Sequence, residues 1–134
     1  METQPDEETI LLELAGYSKT AIALLKQCTN FGPMDSPDVT ARHESDCSDT
    51  LILYFKLDNM TIVDASYEYV GCRGLQAAAS AITEMVKGKT VQEIAAIGFK
   101  EVLAFLQGIP PYKYECIHLA LDTLHKGITI MEGI

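Results

Sequence analysis

A chain of 134 residues, 48% hydrophobic and 22% charged, is long enough to bury one core and has the composition of a globular protein. Its 19 acidic residues against 10 basic ones give a formal charge of −9, which excludes a nucleic-acid role, since phosphate binding needs clustered Lys and Arg. The acidic opening Met1–Glu8 does not read as a signal or transit peptide, and runs such as Ala21–Leu25 are too short to span a bilayer, so no membrane partner is expected. The expectation is one domain over residues 1–134 in a reducing cytoplasm. There Cys28, Cys47, Cys72 and Cys116 suit ligation, catalysis or burial better than disulfides.

In chain order, Ile10, Leu11, Leu14, Tyr17, Ala21, Leu24 and Leu25 recur at helical spacing, predicting one or two helices over residues 9–28. Gly16 divides them and Ser18 is a reasonable N-cap. Asn30–Pro33 and Ser36–Asp38 are turn chemistry, and Val39–Ser45 reads as a short, mostly polar edge strand. From Thr50 to Leu57 the period becomes two, with Leu51, Leu53, Phe55 and Leu57 on one face. After a tight turn at Asp58-Asn59, Thr61–Val70 places Val63, Ala65, Tyr67 and Tyr69 on one face and Ile62, Asp64, Ser66 and Glu68 on the other. Beyond Cys72 the pattern is helical. Leu75, Ala78, Ala79, Ile82, Met85 and Val86 form a stripe ending at Gly88, and Thr90-Val91-Gln92-Glu93 is a capping box. A further helix runs from Phe99 to Leu106, closed by Gly108. After Pro110-Pro111 the last runs from Lys113 to Lys126. This order predicts an α+β fold, a small antiparallel sheet of about three strands with helices packed on one face.

Three cysteines fall at element junctions: Cys47 before a strand, Cys72 at one helix start and Cys116 in the first turn of another. Free N–H groups and the positive end of a helix favour thiolate, the form that binds metal or attacks sulfur. Arg73 beside Cys72 and Lys113 near Cys116 act in the same direction. With Asp49, the three thiols form a set suited to tetrahedral zinc or the irons of a small cluster. Cysteine is also a common small core hydrophobe, and the chain has no C-x-x-C pair, so spacing alone leaves both readings open. Cys28 reads as structural. His118 and His125, seven apart, share a helix face, and His43 lies close in sequence to Cys47.

Four blocks, in order, resemble the U-type iron–sulfur cluster assembly scaffolds, the IscU and NifU N-terminal family. They are Cys47-Ser48-Asp49, Val70-Gly71-Cys72, Thr83-Glu84-Met85-Val86-Lys87-Gly88-Lys89-Thr90, and Ile109-Pro110-Pro111-Tyr112-Lys113 followed by Cys116. The resemblance runs from about Tyr17 onward and leaves residues 1–16 as an extra N-terminal segment. It implies a SufE/NifU-like fold and a scaffold rather than an enzyme. Such a scaffold builds a 2Fe–2S cluster from iron and from sulfur supplied by a cysteine desulfurase, then hands it to apo iron–sulfur acceptor proteins. It implies Cys47, Cys72 and Cys116 as thiolate ligands and Asp49 as the oxygen ligand, with Fe2+, the cluster or Zn2+ as occupant. Residues Ile109, Pro110, Pro111, Tyr112 and Lys113 would dock an Hsp70-type chaperone and co-chaperone.

The chain departs from the family at three positions. The usual His before the third cysteine is Glu115, itself able to ligate zinc or iron; the glycine of Cys-Gly-Asp is Ser48; and Arg73 replaces a small residue. An alternative within the resemblance is a SufU-like zinc-dependent sulfurtransferase that accepts persulfide from the desulfurase. That branch carries an insertion before the third cysteine, for which Gly98–Lys113 has no room. A divergent member that binds zinc structurally is the third reading.

Overall fold

In the computed structural model, which describes residues 6–134, two helices lead into a three-stranded antiparallel sheet and four helices follow it. Residues 1–5, the first part of the acidic opening Met1–Glu8, lie outside the described residues. Helix α1 covers Glu7–Ala15 and α2 covers Lys19–Lys26, divided at Gly16 as the sequence indicates. Ser18 caps α2 by accepting a hydrogen bond from the Ala21 N–H. Cys28 falls two residues past the end of α2 rather than in its last turn, exposed and at φ 48°.

Strands β1 (Val39–Glu44), β2 (Thr50–Asp58) and β3 (Thr61–Val70) pair in chain order. Leu51, Leu53 and Phe55 of β2 and Val39 and Ala41 of β1 are buried on one face, as period two requires. Strand β3 departs from the expected alternation, because Val63 is 53% exposed while Ile62 is fully buried. A register shift at Lys56/Leu57 pairs Asp64 with Lys56 and Ile62 with Leu57, leaving Val63 unpaired. This bulge reverses the in–out phase before Ala65 and Tyr67 resume the inward positions. The β2–β3 turn centres on Asn59 and Met60, one residue later than expected. Both are left-handed, which suits the twist of a tight hairpin.

Helices α3 (Arg73–Val86) and α6 (Tyr114–Glu132) pack on the sheet, and α2 and α5 (Phe99–Leu106) pack against α3. Every residue of α3 from Gly74 to Thr83 is buried, so its run of alanines faces neighbours on all sides instead of forming one stripe. Its buried Ser80 hydroxyl is satisfied by the Tyr67 hydroxyl at 2.7 Å and the Thr29 carbonyl at 3.1 Å. The short α4 (Val91–Ile94) carries the expected capping box between Thr90 and Glu93. Helix α6 continues past Lys126 to Glu132, because Gly127 does not end it. A methyl group there would stand 3.0 Å from Phe55 Cε2, so this glycine lets the helix lie close on the sheet. Among the described residues no helix is long and apolar enough to cross a membrane.

Candidate metal and cluster site

The three junction cysteines meet at one end of the molecule. Cys72 is the N-cap of α3, with extended backbone that frees the first-turn N–H groups to face its side chain. Cys116 is the third residue of α6 and is buried. The two helix starts approach at Gly74, where a methyl group would lie 3.0 Å from Lys113 Cβ and 3.2 Å from Cys116 Sγ. That close approach leaves the Sγ atoms of Cys72 and Cys116 3.5 Å apart. Cys47 stands exposed in the β1–β2 loop, which is closed by hydrogen bonds from Ser45 N–H to the Asp49 carbonyl and from Asp49 N–H to Ser45 Oγ. Ser48, in the place of the family glycine, is held at φ 66°. The Asp49 carboxyl lies beside the Cys72 turn, since a methyl group on Gly71 would be 3.3 Å from its Cγ.

These residues open on a cavity of about 380 Å³ lined by Cys47, Asp49, Cys72, Lys113, Glu115 and Cys116. Among the described residues no three His, Cys, Asp or Glu side chains converge as they stand on a metal-sized point. The close element is the Cys72–Cys116 pair, with Cys47, Asp49 and Glu115 around the cavity.

The two thiols are electrostatically unequal. The Cys116 thiol donates to Cys72; that bond, the Leu75 N–H and the Lys113 ammonium together hold the Cys72 pKa down to about 5, against the cost of its partial burial. Cys116 is shifted the other way, by its bond to Cys72 and by burial, so it is the protonated member. Burial works against the Lys113 charge, yet the bond to the Cys72 thiolate raises its pKa. The helix-start argument therefore applies to Cys72, while Cys116, near a helix start too, is controlled by its partner.

Both cationic neighbours differ from the sequence expectation. Lys113 serves Cys72 as well as Cys116. Arg73 turns away from the cavity, to Glu8 of α1 and to Gln76 Oε1 at 2.9 Å, where Tyr69 also donates. Within the proposed docking segment, Ile109 and Pro110 are buried and Lys113 is half-buried, leaving Pro111 and Tyr112 exposed. His118 stacks on Phe99 with centroids 5.0 Å apart, and Cys28 and His125 lie outside the cavity. Tyr17 carried no sequence signal beyond its core spacing. It is buried, and burial, followed by the charge of the Cys72 thiolate, pushes its hydroxyl pKa up, keeping it protonated.

Comparison with known proteins agrees with this architecture. Residues 16–134 match the family model of the NifU-like N terminal domain. The chain is 37% identical over 84 residues to the iron–sulfur cluster assembly scaffold protein IscU of Aquifex aeolicus, covering 61% of this chain and 54% of that one. It thus spans about half the length of that relative. It is 32% identical over 117 residues to the Haemophilus influenzae scaffold protein IscU, covering 84% of this chain and 92% of that protein. A crystal structure of a NifU-like N-terminal protein from Brucella abortus superposes with a TM-score of 0.70 at 21% identity, covering 87% and 94% of the two chains. That likeness shows a shared fold. With a family match over all but its first residues, this chain belongs to the NifU-like N-terminal domain family.

Proposed function

We propose that this chain is a scaffold on which an iron–sulfur cluster is assembled and from which it is passed on. The observation that carries the reading is the Cys72–Cys116 pair, 3.5 Å apart in a cavity also lined by Cys47 and Asp49. The names of the Aquifex and Haemophilus relatives support it. Ferrous iron and sulfide are the cargo. Cys72, Cys116 and Cys47 supply thiolates, and Asp49 supplies an oxygen donor that binds a cluster iron less firmly than sulfur does. Cys47, exposed on its hairpin loop, closes onto the cargo from the open side. Glu115 adds a second oxygen donor at the rim. The same thiolate set suits zinc, which competes for the site.

In this reading a cysteine desulfurase supplies sulfur and apo acceptor proteins take the finished 2Fe–2S cluster. The exposed pair Pro111 and Tyr112 offers a contact for an Hsp70-type chaperone and its co-chaperone. Anaerobic reconstitution with ferrous iron, cysteine, a desulfurase and a dithiol reductant, which reduces the delivered sulfur to sulfide, tests the proposal. We expect visible sulfur-to-iron charge-transfer absorption that Cys72→Ser abolishes; a colourless wild type, or a Cys72→Ser protein as coloured as wild type, overturns it.

The inequality of the two thiols favours a second reading, in which the Cys72 thiolate accepts persulfide sulfur. The thiolate would attack the terminal sulfur of a desulfurase Cys–S–SH, the desulfurase thiolate would leave, and Cys72 would carry the persulfide. Persulfide on Cys72 after incubation with desulfurase and cysteine, in protein that retains zinc and forms no cluster, selects this reading over assembly.

A further inference from the structure

The Sγ atoms of Cys72 and Cys116 are 3.5 Å apart, and among the described residues no third His, Cys, Asp or Glu side chain converges with them on one point. Cys47 stands exposed on its loop, and Cys28 is exposed outside the cavity. The two sulfurs are thus a pair, and backbone holds them from both sides. Cys72 is fixed as the N-cap of α3 and Cys116 in the first turn of α6. Glycine at position 74 permits the approach, since a methyl group there would lie 3.2 Å from Cys116 Sγ. Reacting atoms about 3–3.5 Å apart are already placed for bond formation.

Sulfur delivered as persulfide is at the oxidation level of the element, whereas a cluster needs sulfide, two electrons lower. Two neighbouring thiols hold those two electrons. The cavity of about 380 Å³ has room for an added sulfur beside Cys72. The Lys113 ammonium, bonded to the Cys72 sulfur, is placed to stabilise an anion leaving from it.

We propose that Cys116 is the resolving thiol for persulfide carried on Cys72 and reduces its outer sulfur to sulfide. This role rests on the reading in which Cys72 accepts persulfide sulfur, and it belongs to the chain before metal occupies the pair. The Cys116 proton passes to the outer sulfur and the Cys116 sulfur attacks Cys72 Sγ. The S–S bond of the persulfide breaks, and its electron pair leaves on HS−. A Cys72–Cys116 disulfide remains, so the two thiols lose the two electrons that the outer sulfur gains. An external dithiol then reduces the disulfide, and its electrons reach the delivered sulfur through Cys116. Attack on the outer sulfur would instead move the persulfide to Cys116 and make no sulfide.

The test uses the full chain, reduced, treated with chelator and freed of reductant under anaerobic conditions. A desulfurase with limiting cysteine supplies the sulfur in one arm, and glutathione persulfide supplies it without a partner protein in the other. We expect sulfide equal to the sulfur loaded, and non-reducing peptide mapping should find Cys72 joined to Cys116 with Cys28 and Cys47 free. Cys116→Ser should hold the persulfide on Cys72 and release sulfide roughly tenfold or more slowly. Cys28→Ser should match wild type. A wild type that forms no Cys72–Cys116 disulfide with either donor overturns the proposal, and that mapping stands even where Cys116→Ser does not fold. Sulfide released by Cys116→Ser as fast as by wild type, or glutathione in place of persulfide on its Cys72, also overturns it. The two readings fail separately. If the desulfurase loads no sulfur but glutathione persulfide yields sulfide and the disulfide, the sulfur-acceptor reading falls and the resolving role stands. If both donors load Cys72 and neither yields the disulfide, the reverse holds.

Discussion

Cys72 and Cys116 lie 44 positions apart in the chain, yet Cys116 donates a hydrogen bond across 3.5 Å to Cys72 and makes it the thiolate of the pair. The relationship is asymmetric because Cys72, at the start of α3, also feels the Leu75 N–H and the Lys113 ammonium at its sulfur. The same contact that activates one sulfur therefore suppresses the other.

The first prediction follows from that asymmetry. Thiolate is the form that alkylates, so in reduced, metal-free protein Cys72 should label with iodoacetamide at an almost constant rate down to pH 6. The rate should fall only as pH drops through about 5. An unperturbed thiol would lose reactivity below about 8.5. Peptide-resolved mass spectrometry measures the midpoint; a value near 8 for Cys72 would show that the pair does not share a proton as described.

Lys113 supplies part of the same stabilisation. Lys113→Met keeps the stem and removes the charge, so the Cys72 midpoint should rise by about one unit. Arg73→Met, by contrast, should leave it within a few tenths, because Arg73 is engaged with Glu8 and Gln76. Equal effects from the two substitutions would contradict the placement of these cations.

Gly74 is a packing requirement. With only 3.0 Å available to Lys113 Cβ and 3.2 Å to Cys116 Sγ, Gly74→Val must push the starts of α3 and α6 apart. We expect a loss of about 1–3 kcal/mol in urea unfolding and a Cys72 midpoint shifted toward that of an ordinary thiol. Unchanged stability together with an unchanged midpoint would show that the helices do not meet there.

Ser48 has the opposite character. It stands at φ 66°, where a side chain costs about 1–2 kcal/mol and glycine costs nothing in the folded state. Glycine gives back roughly 0.5–1 kcal/mol through the freedom of the unfolded chain. Ser48→Gly should therefore be neutral to about 1.5 kcal/mol stabilising by thermal or urea unfolding. A clear destabilisation would mean that the Ser48 side chain makes a contact that outweighs its backbone strain.

Local pattern made most of the elements legible. Period two exposed β2, the capping box marked α4, and the Cys72 turn announced a helix start. It failed where a long-range partner decided the outcome. The bulge that buries Ile62 and exposes Val63 depends on how β3 pairs with β2, and the extension of α6 through Gly127 depends on Phe55.

The sequence by itself determined that three cysteines and Asp49 stand at element junctions, and that the elements make a small sheet with helices on it. These are properties of nearest neighbours, turn chemistry and periodicity. Tertiary structure alone decided which sulfur is the thiolate and which cation serves it. Proton sharing and charge pairing act over a few ångströms in space. Arg73 adjoins Cys72 in sequence but turns to Glu8, while Lys113, far along the chain, comes to the sulfur.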